Sequence, residues 1–278
     1  LFRYTRGTLV REVVAILACA LFCLPLYVLL VGSLKSASEI ANGSAFSLPR
    51  SLHWSNFTDV LSATGGNSVV TGFVNSLIVT LGSVALLIGL GSVCAYVLVR
   101  STRRWARTTF VLFVVAIVLP TQLGVVPLYV GARTLGVTGS LPGLILIDTG
   151  TFLPLAVFLY ATFFRNHPRD WEEAAALDGA GAFATFRHAV LPLVGPVTGT
   201  AGILTGVVIW NDFFTPLIFV GGTNFPTLPV VMYQYVGALN SEWNKIFAVV
   251  VIAFIPVMVF FVFAQRRLME GFSGGVRG

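Results

Sequence analysis

Residues 165–196 read RNHPRDWEEAAALDGAGAFATFRHAVLPLVGP, a charge-bearing stretch between two apolar runs that are each long enough to cross a membrane. Residues 171–177 are dominated by Ala, Glu and Leu, which are strong helix formers. Pro168 and Asp170 precede them as a start signal, and Asp170 with Glu173 is expected to cap the helix and to place negative charge at its positive end. Asp178-Gly179 reads as a stop, with Gly179 free to take the positive φ that ends a helix. A second short helix is expected next, with Phe183, Phe186 and Val190 spaced to share a face. Leu191-Pro192 closes it and opens the following apolar run. The pattern is a short helix, a glycine turn and a second short helix at a membrane surface.

The rest of the chain supplies that membrane. Of 278 residues, 56% are hydrophobic and 10% are charged, against about 25% charged in soluble domains. There is no room for a sizeable soluble domain, so a single transmembrane domain over residues 1–278 is expected. A net charge of +6 raises the question of nucleic acid, and distribution answers it. Of the 17 Lys and Arg residues, only Lys35, Arg50, Arg133 and Lys245 fall on one set of alternate connections, and all the others fall on the opposite set. That is the positive-inside pattern. The charge reports orientation and implies no nucleic-acid partner.

A membrane helix needs about 20 apolar residues. Six segments qualify, at about 13–31, 70–99, 108–130, 142–164, 193–216 and 246–264, leaving both termini, the basic turn at 100–107 and the 165–192 loop cytoplasmic. Residues 32–67 form an external connection. Within it, Trp54, Phe57 and Leu61 recur at helical spacing, as in an interfacial helix or one packed on the bundle. Pro120 and Pro127 interrupt the third span; such breaks mark a kink or a pathway-lining helix whose carbonyls find other partners. A Gly/Thr/Ser-rich external connection at 131–140 and a longer aromatic one at 221–243 complete that side, and residues 265–278 form a cytoplasmic tail. The chain begins at Leu1, so a short preceding piece is expected. The first apolar run is too long and too well continued for a cleaved signal peptide.

Catalytic patterns are missing from the sequence. It has no G-x-x-x-x-G-K-[ST] phosphate loop, no zinc-ligand spacing and no nucleophile elbow. His53, His167 and His188 fall on three separate connections, where solvated roles are expected. Cys19, Cys23 and Cys94 lie in apolar runs and are expected to pack rather than to bind metal or pair. Two acids, Asp148 and Asp212, come out roughly 25–30 Å from the cytoplasmic face at 1.5 Å per residue. They are expected as hydrated groups at the outer rim. An ion-coupled secondary transporter would hold its acids at the midplane, and a membrane enzyme would need a catalytic constellation; the sequence favours neither.

Glu173-Ala174-Ala175, Gly179 and Leu191-Pro192, in register on one inter-helix loop, resemble the EAA loop of ATP-binding-cassette importer permeases. The longer run from Glu172 to Ala180, with Phe186 and Leu191-Pro192 beyond it, is similar to the sugar-importing, maltose-type branch; Ala189 stands where that family prefers a larger aliphatic residue. The resemblance covers most of the chain. It implies an all-α polytopic membrane protein with about six transmembrane helices and a cytoplasmic coupling loop. It further implies a non-catalytic subunit of a binding-protein-dependent sugar importer, located in the inner membrane. The implied partners are a second permease, an ATPase dimer, an extracytoplasmic solute-binding protein and the sugar itself. No cofactor is implied for this chain, ATP and Mg being held by the ATPase. Glu173, Ala174, Ala175, Asp178, Gly179, Ala180, Phe186, Leu191 and Pro192 would form the ATPase-coupling surface. Trp210-Asn211-Asp212 would face the outer mouth of the pathway, where indole, amide and carboxylate suit polyhydroxylated ligands. The loop at 221–243 would meet the binding protein, and Gly275, Val276, Arg277 and Gly278 would reach the ATPase, with Arg277 where the family has Lys. Importers of glycerol phosphate or polyamines share the loop and stay open as alternatives.

Overall fold

The computed structural model describes residues 6–236 and 242–273; the family-implied tail at 275–278 lies outside them. The described residues form helices and their connections, without a strand, and fall into two compact units, one drawn from the described residues of 1–70 and 231–256, the other from those of 71–230 and 257–278.

The first unit opens with α1 (Arg6–Ser33), whose apolar side chains stay open over most of its length: Phe22 is 81% exposed and Leu21 68%, and only the last turn is buried. Cys19 and Cys23 lie on this open surface, so they do not pack within this chain as expected; α1 meets neighbours only toward its C-terminal end, where Tyr27 bonds to Phe46 and Val31 and Ser33 are buried. Two short helices follow, α2 (Ala37–Asn42) and α3 (Ser55–Ser62). The sequence predicts the second and misses the first, which is marked by a capping box: Ser36 Oγ accepts from the Glu39 amide and Glu39 answers to the Ser36 amide. Asn56 on α3 ties the unit together. Its amide donates to the carbonyls of Ser33 and Lys35, each at 2.9 Å, and its oxygen accepts from buried Asn244 at 2.7 Å.

The second unit carries most of the spans. α4 (Val69–Arg100) runs into it, followed by α5 (Arg104–Val118), α6 (Val125–Thr134) and α7 (Leu141–Asn166). The third apolar segment is not one kinked helix: α5 and α6 meet at 101°. Leu119, the residue before Pro120, takes extended backbone (φ −72°, ψ 128°), as the proline ring demands. Pro127, by contrast, sits in the first turn of α6, where no N–H is needed. α6 also carries Arg133, so the expected external connection is helical up to Thr134. α7 begins at an N-cap, Ser140, whose Oγ accepts from the Gly143 amide.

The remaining helices are α8 (Asp170–Leu177), α9 (Ala182–Thr185), α10 (Gly195–Trp210), α11 (Phe214–Phe219), α12 (Leu228–Gln234) and α13 (Trp243–Ser273). The fifth span stops at Trp210, short of the expected 216, because the chain breaks at Asn211–Phe213 and restarts as α11. α13 continues helically well past the expected end of the sixth span at 264. Three helical stretches, Gly7–Ser33, Val69–Arg100 and Leu141–Asn166, are each long and apolar enough to cross a membrane. Two bent pairs and the apolar stretch Trp243–Val259 bring the apolar segments to six, as the sequence predicts.

α4 packs on α7 through a stripe of small and apolar residues, Ser83, Leu87, Gly91 and Ala95, spaced by four. A Cβ at Gly91 would lie 2.9 Å from the Ala156 Cβ, so the glycine permits close approach of the two backbones. At the end of α7 nearest the 165–192 loop, Ala95, Leu98, Val157, Tyr160, Phe164 and Val190 form one buried cluster. That cluster is the floor on which the loop rests.

Candidate functional site

The 165–192 loop is built as the sequence predicts in outline, with changes at its ends. α8 starts at Asp170 itself. Arg169 takes the N-cap position and offers no side-chain bond, so Asp170 is not the cap; with Glu172 and Glu173 it supplies negative charge to the first turn instead. The helix ends at Gly179 with φ 81°. The Ala180 amide donates to the Ala175 carbonyl at 2.9 Å and the Gly179 amide to the Ala176 carbonyl at 3.1 Å, the paired closing bonds that a left-handed glycine makes possible.

Beyond the glycine turn, α9 lasts one turn and widens into a π turn at Phe186–Val190, where the Leu191 amide donates to the Phe186 carbonyl at 2.8 Å. Pro192 explains the widening: it has no N–H, and in a continued α-helix its ring would strike the carbonyl of His188. The stretch Ala182–Val190 then turns by 84° into α10. The expected common face holds only in part. Phe186 and Val190 pack on the floor cluster, whereas Phe183 is 75% exposed.

One side chain fixes α8 to the body of the protein, and it is not one that the sequence singles out. Glu172 Oε1 lies 2.6 Å from Arg100 Nη2 and 2.8 Å from Arg100 Nε, while Glu172 Oε2 accepts from the Tyr96 hydroxyl at 3.2 Å. Arg100 Nη1 in turn donates to the Phe164 carbonyl at the end of α7, at 3.1 Å. The two charged side chains are 15% and 16% exposed. Tyr96 is itself wedged between the rings of Phe164 and Phe186. Nearby, the Arg165 guanidinium lies over the Phe110 ring at 4.1 Å, joining α7 to α5. A legible signal existed: Tyr96 and Arg100 are one helical turn apart at the end of a span, and Glu172 adjoins the family acid Glu173.

With Glu172 turned inward, α8 sorts its other residues by face. Ala175 and Ala180 are half-buried, while Glu173, Ala174, Asp178 and Gly179 are exposed. Leu177 is 90% exposed and Trp171 62%, a degree of exposure that calls for a covering surface. Leu191 is exposed and lies on the bend beside Pro192. His167 stacks on Phe163, and His188 makes a local contact with the Ala184 carbonyl, so neither joins a catalytic group. Among the described residues no cluster of His, Cys, Asp and Glu could hold a metal ion.

The residues assigned to the outer mouth separate. Trp210 is buried, edge-on to Phe73 at 5.7 Å, because α4 packs against α10 there. The exposed Asn211 turns its amide back to the Val207 carbonyl at 2.8 Å. Asp212 accepts from the amides of Phe214 and Thr215 and so caps α11. Asp148 is not hydrated at a rim: it is 1% exposed inside the packed second unit, and its Oδ1 has no hydrogen-bond partner.

An all-helical chain with six apolar segments and a two-helix loop docked across the ends of α4 and α7 defines a multi-pass membrane component. Residues 87–273 match the family described as binding-protein-dependent transport system inner membrane component. Over 263 residues the chain is 34% identical to the melibiose/raffinose/stachyose import permease protein MelC of Bacillus subtilis, covering 94% of this chain and 93% of that one. Over 252 residues it is 31% identical to AmyC of Thermoanaerobacterium thermosulfurigenes, a probable starch degradation products transport system permease, covering 90% of each. Its fold is similar to that of a bacterial ABC transporter involved in alginate import, with a TM-score of 0.81 at 21% identity, over 96% of this chain and 99% of that one. The chain belongs to the binding-protein-dependent transport system inner membrane component family, and within it to the permeases of the carbohydrate ABC importers.

Proposed function

We propose that this permease subunit forms half of the pathway of an ATP-driven importer for di- or oligosaccharides, and that its 165–192 loop receives the work of ATP hydrolysis. The observation that carries the reading is the two-sidedness of α8: Glu172 is bonded to Arg100 and Tyr96, while Glu173, Ala174 and Leu177 are presented outward. An ATPase cleft gripping the outward face would pull on α4 and α7 through the inward one. Glu173 offers a carboxylate to a cation of the cleft, small Ala174 and Ala176 allow close approach, and Leu177 supplies apolar area. The sugars named for MelC and AmyC support a glycan substrate.

In this reading the partners are a second permease, two ATPase subunits that bind ATP and Mg, and an extracytoplasmic binding protein. This chain contributes no catalytic group. Both termini and the loop face the cytoplasm, on the strength of the basic residues gathered there. The decisive experiment is uptake into vesicles holding the assembled complex, with a labelled raffinose-type oligosaccharide and the binding protein outside. Uptake should require ATP within and survive collapse of ion gradients by ionophore. Gradient-driven uptake without ATP would contradict the proposal.

A further inference from the structure

Two residues past the end of α1, a recess of about 490 Å³ opens in the first unit, lined by Lys35, Ser38, Asn42, Ser44, Ser47 and Arg50 among others. It belongs to neither the coupling loop nor the candidate pathway. Lys35 is 2% exposed, and its ammonium donates to the Ser44 carbonyl at 2.9 Å and to Ser47 Oγ at 3.1 Å. Both acceptors are neutral, and no carboxylate among the described residues lies within ion-pair reach of it. A buried ammonium without an anion is costly, and one of its three N–H donors is left over.

The one acid in the lining, Glu39, is spent elsewhere. Its two oxygens accept from the amides of Ser36 at 3.0 Å and Arg50 at 2.8 Å, and these bonds hold its carboxyl below the usual range. The Arg50 guanidinium is exposed on the same recess. Two cations therefore face one committed carboxylate, an arrangement that suits a phosphate; of the hydroxyls beside them, Ser47 already donates to the Ser44 carbonyl and Ser38 pairs with Ser36.

The surroundings select the source of that phosphate. The recess sits at the end of a membrane-spanning helix with open apolar flanks. Its rim carries Leu48, 72% exposed, and the adjoining segment carries Phe46, 57% exposed. The Tyr27 hydroxyl on α1 donates to the Phe46 carbonyl at 2.9 Å and holds that segment against the helix. A soluble anion has no use for an apolar lip continuous with a transmembrane helix; a lipid does. We propose that the Lys35–Arg50 recess is a binding site for the phosphate headgroup of an anionic phospholipid, whose acyl chains lie along α1. The proposal rests on α1 spanning a membrane, not on which side the recess faces.

Native mass spectrometry of the purified complex tests this, after extraction from membranes containing phosphatidylglycerol and phosphatidylcholine. The unaltered complex should retain phosphatidylglycerol through delipidation. Arg50→Gln, an exposed change that leaves the fold alone, and Lys35→Met should each lower retention about tenfold or more, as loss of one charge-assisted bond implies. Equal retention by both variants would overturn the site. Millimolar inorganic phosphate that displaces the lipid and matches its protection against thermal unfolding would assign a free-anion site and overturn the lipid assignment. Unchanged lipid retention with loss of binding-protein docking would give the recess to a protein carboxylate and contradict the proposal equally.

Discussion

Gly179 and Gly91 show how differently the same residue type can be required. At Gly179 the backbone stands at φ 81° and an added Cβ would meet nothing within 4 Å. The whole cost of a side chain is therefore conformational, roughly 1 kcal/mol for Ala and more for a β-branched residue. At Gly91 the obstacle is the Ala156 Cβ at 2.9 Å, and a larger residue would force two spans apart at about 1–3 kcal/mol. We expect Gly179→Ala to speed hydrogen exchange in α8 with global unfolding unmoved, and Gly91→Leu to lower the thermal unfolding temperature of the whole chain. The reverse pattern would contradict these assignments. Gly179 was legible because a turn glycine is marked by its own neighbours in sequence. Gly91 was not, because its constraint comes from a residue 65 positions away. Asp148 was misread for the same reason: counting rise along a helix gives its depth and says nothing of what covers it.

At the scale of elements, the proposed function makes the loop a lever only while Glu172 holds it. Arg100→Met would leave the Glu172 carboxylate facing Tyr96 alone and free the Phe164 carbonyl. A pair about 15% exposed loses part of its worth to solvent, so a local cost of about 1–3 kcal/mol is expected. The variant should insert and bind the ATPase, since the outward face is untouched, yet hydrolyse ATP with reduced sugar uptake per turnover. The double variant Arg100→Met/Glu172→Met should be less impaired than Arg100→Met, having no orphaned charge. Unchanged coupling in the single variant would show that force passes by another route. The sequence foretold the glycine stop and Leu-Pro exit because those are local, but assigned the cap to Asp170, which lies inside α8. It missed the latch because Tyr96, Arg100 and Glu172 meet only through tertiary packing. Prolines were half-legible: Pro120 and Pro192 announced a break, but the 101° and 84° bends come from how each chain end finds new partners.

For the molecule as a whole, hydrophobic run lengths and the sorting of Lys and Arg were enough to predict six apolar segments, and the motif in the 165–192 loop carried the resemblance to a family. The structure adds that two of those segments are bent pairs, and that the loop between α7 and α10 rests on a cluster shared by α4, α5 and α7. What composition could not supply was the facing of α8, on which the functional account turns. The most direct test is an ATPase pull-down with parallel uptake for variants on its outward face. Ala174→Trp and Glu173→Lys should leave the permease in the membrane, lose the ATPase and abolish ATP-driven uptake, with Thr138→Ala, away from the loop, as the unaffected control. Retention of the ATPase and normal uptake in both outward-face variants would show that the loop is only a connector.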